Sequence, residues 1–397
     1  MCSHAKKLTK ESRKVFFVCG NWLEDSGGGR KVVSKIINEL HARGNFSYGL
    51  VDFESRMFSV PKNSDIGLKD GISFYTITSA LFKRNAIVMF ARFIRLMWRE
   101  RPDVIIETSG PTLKVINFLL LKIFLPRSRM PAYIFFDHSP VQTMLANSKY
   151  SFLYTVIAPY AYRRVDVAAS VSEELIKSAA HKFGVSMNRI AYIHNPMDYE
   201  YIAKQAKEDV DHPWFRHKDL PIITTAARLD PFQKDIPTAL KAFTRVVKTI
   251  PSRFVILGVG PQEEELKKMA YDLGISESVL FAGYQKNPYK YFARSDIFVL
   301  STKFEAFGLV LAEAMACGCP VISSDCDFGP REVLEGGKDG ILVPVGDIQK
   351  MSEAFLRLLA NKEERMMFVA RGKERVKDFS LDRALDAYET LFLRVLR

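Results

Sequence analysis

The stretch SDIFVLSTKFEAFGLVLAEAMACGCPVISSD, residues 295–325, reads as strand, loop, helix, turn and strand in quick succession. IFVLST (297–302) is a short apolar run of strand type, and LVLAEAMACG (309–318) is an apolar helical run closed by Gly318 with Pro320 behind it. KFEAFG links the two, and GCPVISSD begins the next strand. Strands apolar on both faces with a helix between them form the repeating unit of a parallel sheet covered on both sides. Two carboxylates, Glu305 and Glu313, interrupt this apolar context. Eight positions on a helix rotate by roughly 80°, so the two share no single face and suit two parts of one extended ligand.

The same form recurs along the chain. KVFFVCG (14–20) is followed by GGGRKVVSKIINELHARG, a helical period closed by Gly44, and then come PDVIIETSGP, AYIFFDHSP and VDVAASVS. After residue 220, PIITTAARLD, SRFVILGVGP, SVLFAGY, SDIFVLST and GCPVISSD repeat it. Between the two sets lies NPMDYEYIAKQAKEDVDHPWFRHKDLP (195–221), polar and punctuated by proline. With 397 residues the chain exceeds one ordinary core. The class is α/β, read as two Rossmann-like domains with parallel sheets facing each other across a cleft. Their expected bounds are 1–200 and 201–380, followed by a final helical segment, 381–397. In open sheets of this kind the ligand lies beyond the carboxyl ends of the strands.

Composition narrows the classes further. The chain is 48% hydrophobic and 26% charged, as in soluble globular proteins. Its polar start precedes only the short run VFFVC, too short for a secretory signal. The greasiest segment, VINFLLLKIFL (115–125), is about half a membrane span and carries Lys122. A cytoplasmic protein is expected. Five cysteines, an odd number in mostly apolar contexts, read as free thiols, and none has zinc-ligand spacing. No metal is expected; the D-x-D triplet Asp325–Cys326–Asp327 follows a strand and reads as accidental.

The net charge of +12 is unevenly placed: residues 1–200 hold 28 Lys and Arg against 17 Asp and Glu. Within that half, FKRNAIVMFARFIRLMWRER (82–101) sets Arg84, Arg92, Arg95 and Arg99 on one helical stripe beside a face containing Trp98. Such a helix suits the interface of an anionic membrane, and a peripheral membrane surface is the expected partner. No recognisable nucleic-acid module is present, and nucleic acid is not expected.

EAFGLVLAE, an E-x7-E motif followed by A-x-A-C-G-x-P-V-I, closely resembles the retaining glycosyltransferases of family 4, whose fold is GT-B. AARLDPFQKDIPTALKAF (226–243), FVILGVGPQEEELKKMAYDLGISESVLFAGY and DGILVPVGD are also similar to that family's second domain. VSEEL (171–175) and IHNPMD (193–198) extend a looser likeness through the first. The resemblance implies a nucleotide-sugar donor, UDP-linked, and a lipid-linked or polysaccharide acceptor for a transferred hexose or N-acetylhexosamine. It implies no resident cofactor. Arg228 and Lys234 would neutralise the donor diphosphate; on spacing alone they are two solvated cations. Glu305 would meet the transferred sugar, Glu313 the ribose, and the amides of Phe307, Gly308 and Leu309 the phosphates at a helix start. His138 would line the cleft near the sugar, with Asp137 behind it. Gly28 and Gly29, within the run from Gly27, would approach phosphate at the first helix, and Arg331 would reach the donor. In this family the leaving phosphate itself takes the acceptor's proton. The alternatives are a UDP-sugar-processing relative such as a UDP-N-acetylglucosamine 2-epimerase, or a nucleotide-binding module without catalysis.

Overall fold

In the computed structural model, residues 13–20, 28–54, 67–78, 86–140 and 151–396 are described. Gly27 and Arg84 lie outside them. The chain has two compact units, each built on a sheet whose strand pairs are all parallel. The first comprises residues 1–170, 176–193 and 385–397, and the second residues 171–175 and 194–384. The fold is GT-B, a two-domain α/β arrangement.

The first sheet contains β1 (Lys14–Gly20), β2 (Ser47–Glu54), β3 (Ser73–Thr78), β4 (Val104–Glu107), β5 (Ala132–Asp137), β6 (Val167–Ser170) and β7 (Ile190–Tyr192), in the order 3-2-1-4-5-6-7. In β1 the side chains alternate. Phe16 and Val18 enter a core with Phe93 and Met97 of helix Ala86–Glu100 and with Phe118 of helix Pro111–Phe124. Phe17 points to the opposite face, where its ring lies 6.2 Å from that of Tyr388. Tyr388 also stacks on Phe136 at 5.6 Å, and Phe392 meets Phe46 edge-on at 5.5 Å. Residues from Leu385 onward thus cover one face of this sheet. Each fully buried aromatic ring contributes roughly 2–3 kcal/mol.

The second sheet contains β8 (Ile222–Ala226), β9 (Arg253–Leu257), β10 (Val279–Gly283), β11 (Ile297–Leu300), β12 (Val321–Ser324) and β13 (Ile341–Val343), in the order 10-9-8-11-12-13. Helix Ile236–Val247 packs its buried stripe of Ala239, Leu240, Phe243 and Val246 against it. The helix expected over 309–318 spans Leu309–Ala316. Gly318, at φ 78°, ends it, and the amide of Cys319 closes back onto Ala314 O at 3.0 Å. In both sheets the strand order reverses beside the first strand, so the loops after β8 and β11 meet at a switch point, where ligands bind in open α/β sheets.

Candidate active site

The site in the second unit is built from backbone pairing between two loops. Residues 233–235, after β8, zip against 301–304, after β11: Lys303 N donates to Gln233 O at 2.8 Å and Asp235 N to Ser301 O at 3.0 Å. That register brings Lys234 Nζ onto Glu305 Oε1 in an ion pair whose side chains are only 13% and 11% exposed. Thr302 Oγ1 donates to the same carboxylate oxygen at 3.3 Å. A buried pair of this kind holds charge in place before any ligand arrives, because desolvation makes either ion costly without the other.

Glu305 is also tied to Phe328 by a parallel bridge, and Phe328 has the strained dihedrals φ 73°, ψ −126°. Three residues after Glu305, Gly308 heads the helix Leu309–Ala316 with φ 82°, a conformation glycine adopts without cost. The amides of Gly308 and Leu309 therefore open the helix with no intrahelical acceptor, a geometry that attracts phosphate. Phe307 is buried, its ring stacked on His194 at 5.3 Å and set edge-on to Phe379 at 5.2 Å. His194 Nε2 pairs with Glu332 at 2.6 Å. Glu332 also accepts from Ser172 Oγ at 2.5 Å and from the Glu173 amide at 3.1 Å. Burial works against its charged form, yet these partners carry its pKa below the ordinary carboxylate range. The sequence offered VSEEL, IHNPMD and Arg331 as separate segments, and their meeting at Glu332 was not legible in it.

Glu313 receives a hydrogen bond from Tyr289 OH at 3.2 Å. Burial, then the Glu313 charge, pushes the nearby Cys317 thiol up to about 12, so it stays protonated. Tyr289→Phe is expected to weaken binding of a hydroxyl-bearing ligand held by Glu313 by about two- to tenfold, the worth of one orienting hydrogen bond. Calorimetric titration of the two proteins checks it.

The remaining cations are held by their own loops. Arg228 is 69% exposed, with Nη2 2.5 Å from Asp230 Oδ2. The Phe232 amide, with the guanidinium beside it, holds Asp230 below its usual range. The loop is fixed from behind, where Leu229 N donates to Val259 O at 3.0 Å. A Cβ at Gly258 would lie 1.8 Å from Ala227 O, so the Gly258–Val259–Gly260 turn serves close backbone approach. Arg331 is paired with Asp325, the first residue of the D-x-D triplet. Among the described residues no cluster of His, Cys, Asp or Glu is arranged to hold a metal ion.

In the first unit, Gly28 and Gly29 open the helix Gly28–Arg43. Beyond β5, Asp137 is bound to Lys114 Nζ at 2.5 Å and to Tyr162 OH at 2.9 Å, with Lys114 1% exposed. Lys114 also donates to Phe136 O at 2.9 Å. A buried lysine on an apolar helix gave no sequence signal, because its partner is 23 positions away. His138 Nε2 is buried without a partner among the described residues. Burial, and then the Lys114 charge, depress its pKa from 6.5 to about 4, so the ring is neutral at pH 7.

That depression has a stability consequence. The unfolded histidine takes up a proton near pH 6.5, while the folded one resists until about 4. Its contribution is therefore full above pH 6.5 and is lost as pH falls towards 4, on the order of 2–3 kcal/mol. His138→Gln is expected to flatten this part of the acid limb when melting temperature is followed from pH 7 to pH 4.

Residues 207–375 match the profile of the family described as glycosyl transferases group 1. The chain is 28% identical, over 89% of its length and 93% of the relative's, to N-acetylgalactosamine-N,N'-diacetylbacillosaminyl-diphospho-undecaprenol 4-alpha-N-acetylgalactosaminyltransferase of Campylobacter jejuni. It is 33% identical to the lipopolysaccharide core biosynthesis glycosyltransferase LpsE of Rhizobium meliloti, over 43% of this chain and 49% of that one. Among solved structures it is similar to Anabaena HepE in complex with UDP, with a TM-score of 0.74, 16% identity, and coverage of 95% of this chain and 99% of that one. These likenesses support a glycosyltransferase of GT-B fold.

Proposed function

We propose that the protein transfers a hexose or N-acetylhexosamine from a UDP-linked sugar to a lipid-linked or glycan acceptor, with retention at the anomeric carbon. The observation that carries this reading is the buried Lys234–Glu305 pair beside the open amides of Gly308 and Leu309. Diphosphate oxygens would settle on those amides, with Arg228 swinging from Asp230 to meet them and Lys234 shared between phosphate and Glu305. Fixed positive charge of this kind stabilises a leaving diphosphate without a divalent metal. Glu305 would accept from sugar hydroxyls and Glu313, oriented by Tyr289, from the ribose diol. His138, neutral, would act as a hydrogen-bonding ring rather than as a cation.

The step follows the family pattern. The acceptor hydroxyl attacks the anomeric carbon from the face the leaving group departs. The anomeric C–O bond to phosphate breaks, and the released UDP takes the hydroxyl proton. No nucleophile on the protein is consumed. The lipid-diphosphate acceptor in the Campylobacter relative's name and the basic first half of this chain support a lipid-linked acceptor and peripheral attachment to the cytoplasmic face of a membrane.

The test is a panel of UDP- and GDP-sugars scored by thermal shift, followed by UDP release with polyprenyl-diphosphate-linked glycans and NMR of the product linkage. A UDP-sugar should stabilise the protein, and transfer should retain the anomeric configuration. Isomerised UDP-sugar without transfer would instead place the protein with the 2-epimerases. Nucleotide binding with neither reaction would leave a binding module.

A further inference from the structure

Helix Ala86–Glu100 does not spend its whole apolar face on the core. Phe93, Leu96 and Met97 are buried, whereas Ile87 is 79% and Trp98 38% exposed. Its neighbour, helix Pro111–Phe124, likewise leaves Ile123 71% and Phe124 54% exposed. Between the two helices lies a groove of about 730 Å³, floored by Phe90, Ala91, Ile94 and Leu120 and flanked by Trp98 and Phe124. Its size is that of a small-molecule site, roughly 300–1,000 Å³. Among the described residues, Arg95 is the one charged residue lining it.

The surround is basic. Over residues 86–100 and 111–129 the exposed or half-buried cations are Arg92, Arg95, Arg99, Lys122, Arg127 and Arg129, against the single carboxylate of Glu100. Arg129 stacks on the Trp98 ring at 4.5 Å and Lys122 lies 5.1 Å from the Phe118 ring, so aliphatic stems run along apolar surface with charged heads outward. Among the described residues, no helix is long and apolar enough to cross a membrane.

We propose that this groove is a membrane-docking site that takes a hydrocarbon chain of an anionic lipid, while the surrounding arginines and lysines hold the phosphate level of the bilayer. This deepens the membrane-attachment part of the functional reading and rests on it. Charge complementarity selects the occupant. A second copy docked two-fold on this face would set cations against cations. A soluble anion would find an apolar floor with one guanidinium and nothing to orient it. An anionic amphiphile satisfies both parts, and an interfacial tryptophan beside arginine is the usual membrane-surface arrangement.

The experiment uses the full chain with vesicles of phosphatidylcholine alone or with phosphatidylglycerol. Co-sedimentation should occur only with the anionic vesicles. Lipids brominated in the acyl chain should quench tryptophan emission, and Trp98→Phe should remove the quenching. Phe124→Asp and Arg95→Glu should each weaken partitioning by about fivefold or more, with the melting temperature and the UDP-sugar thermal shift unchanged. Equal binding to neutral vesicles, or anionic binding without acyl-chain quenching, would overturn the proposal. So would a concentration-dependent dimer dissolved by Phe124→Asp, which would make a second copy the occupant. Loss of the UDP-sugar thermal shift in the unaltered protein would instead count against the glycosyltransferase reading, leaving the lipid measurement to stand by itself.

Discussion

Glu305→Ala is expected to lower kcat/KM for sugar transfer by roughly 10²–10³-fold while the affinity for UDP stays within about threefold. The carboxylate faces the position proposed for the sugar and neutralises Lys234, so its loss removes a sugar contact and leaves a nearly buried ammonium alone. UDP contains no transferred sugar, which is why its binding should survive. Glu305→Gln keeps hydrogen-bonding capacity without charge and should fall between the two. Lys234→Met should weaken UDP binding instead, because the diphosphate loses a cation. Combining Glu305→Gln with Lys234→Met should cost less than the sum of the single changes, as for residues of one ion pair. Transfer assays and UDP calorimetry on the four proteins check this, with melting curves to verify folding. Additive losses would show that the pair does not act as a unit.

Asp137→Asn in the first unit is expected to destabilise that unit by roughly 3–5 kcal/mol. Lys114 and Asp137 are both nearly inaccessible to water, and the substitution leaves the ammonium with neutral acceptors and no countercharge. Tyr162 loses its carboxylate acceptor at the same time. The double change Lys114→Met with Asp137→Leu removes both charges and should recover much of the loss, since a buried pair often breaks even against apolar residues of similar volume. Denaturant titration of the single and double variants measures it. Equal destabilisation by both would mean that packing, rather than the stranded charge, sets the cost.

These two expectations separate what is local from what is not. The strands β1, β4, β5, β6 and β8 to β12 are legible because each is a short apolar run between turn residues. β2 and β3 are harder to see: Gly49 interrupts the apolar run of SYGLVDFE, and SFYTIT mixes polar residues into an edge strand. β7 and β13, of three residues each, lie at the other edges and carry too little pattern. The basic stripe of 82–101 and the apolar face containing Trp98 are visible as a period, whereas the groove that Trp98 lines is made with another helix and is not.

By itself the sequence determined the α/β class and the helix start at Gly308, because period-2 and period-3.6 patterns and helix-end chemistry depend on neighbours along the chain, while Arg228, Lys234, Glu305 and Glu313 were singled out by the family resemblance of the segments that hold them. Only the tertiary structure decided that Lys234 and Glu305, 71 positions apart, share one buried ion pair. Likewise it set Arg331 on Asp325, Glu332 on His194 and Lys114 on Asp137. The Lys234–Glu305 pairing follows from strand order: placing β11 beside β8 brings two loops together, and burial then leaves each charge no better partner than the one across the gap.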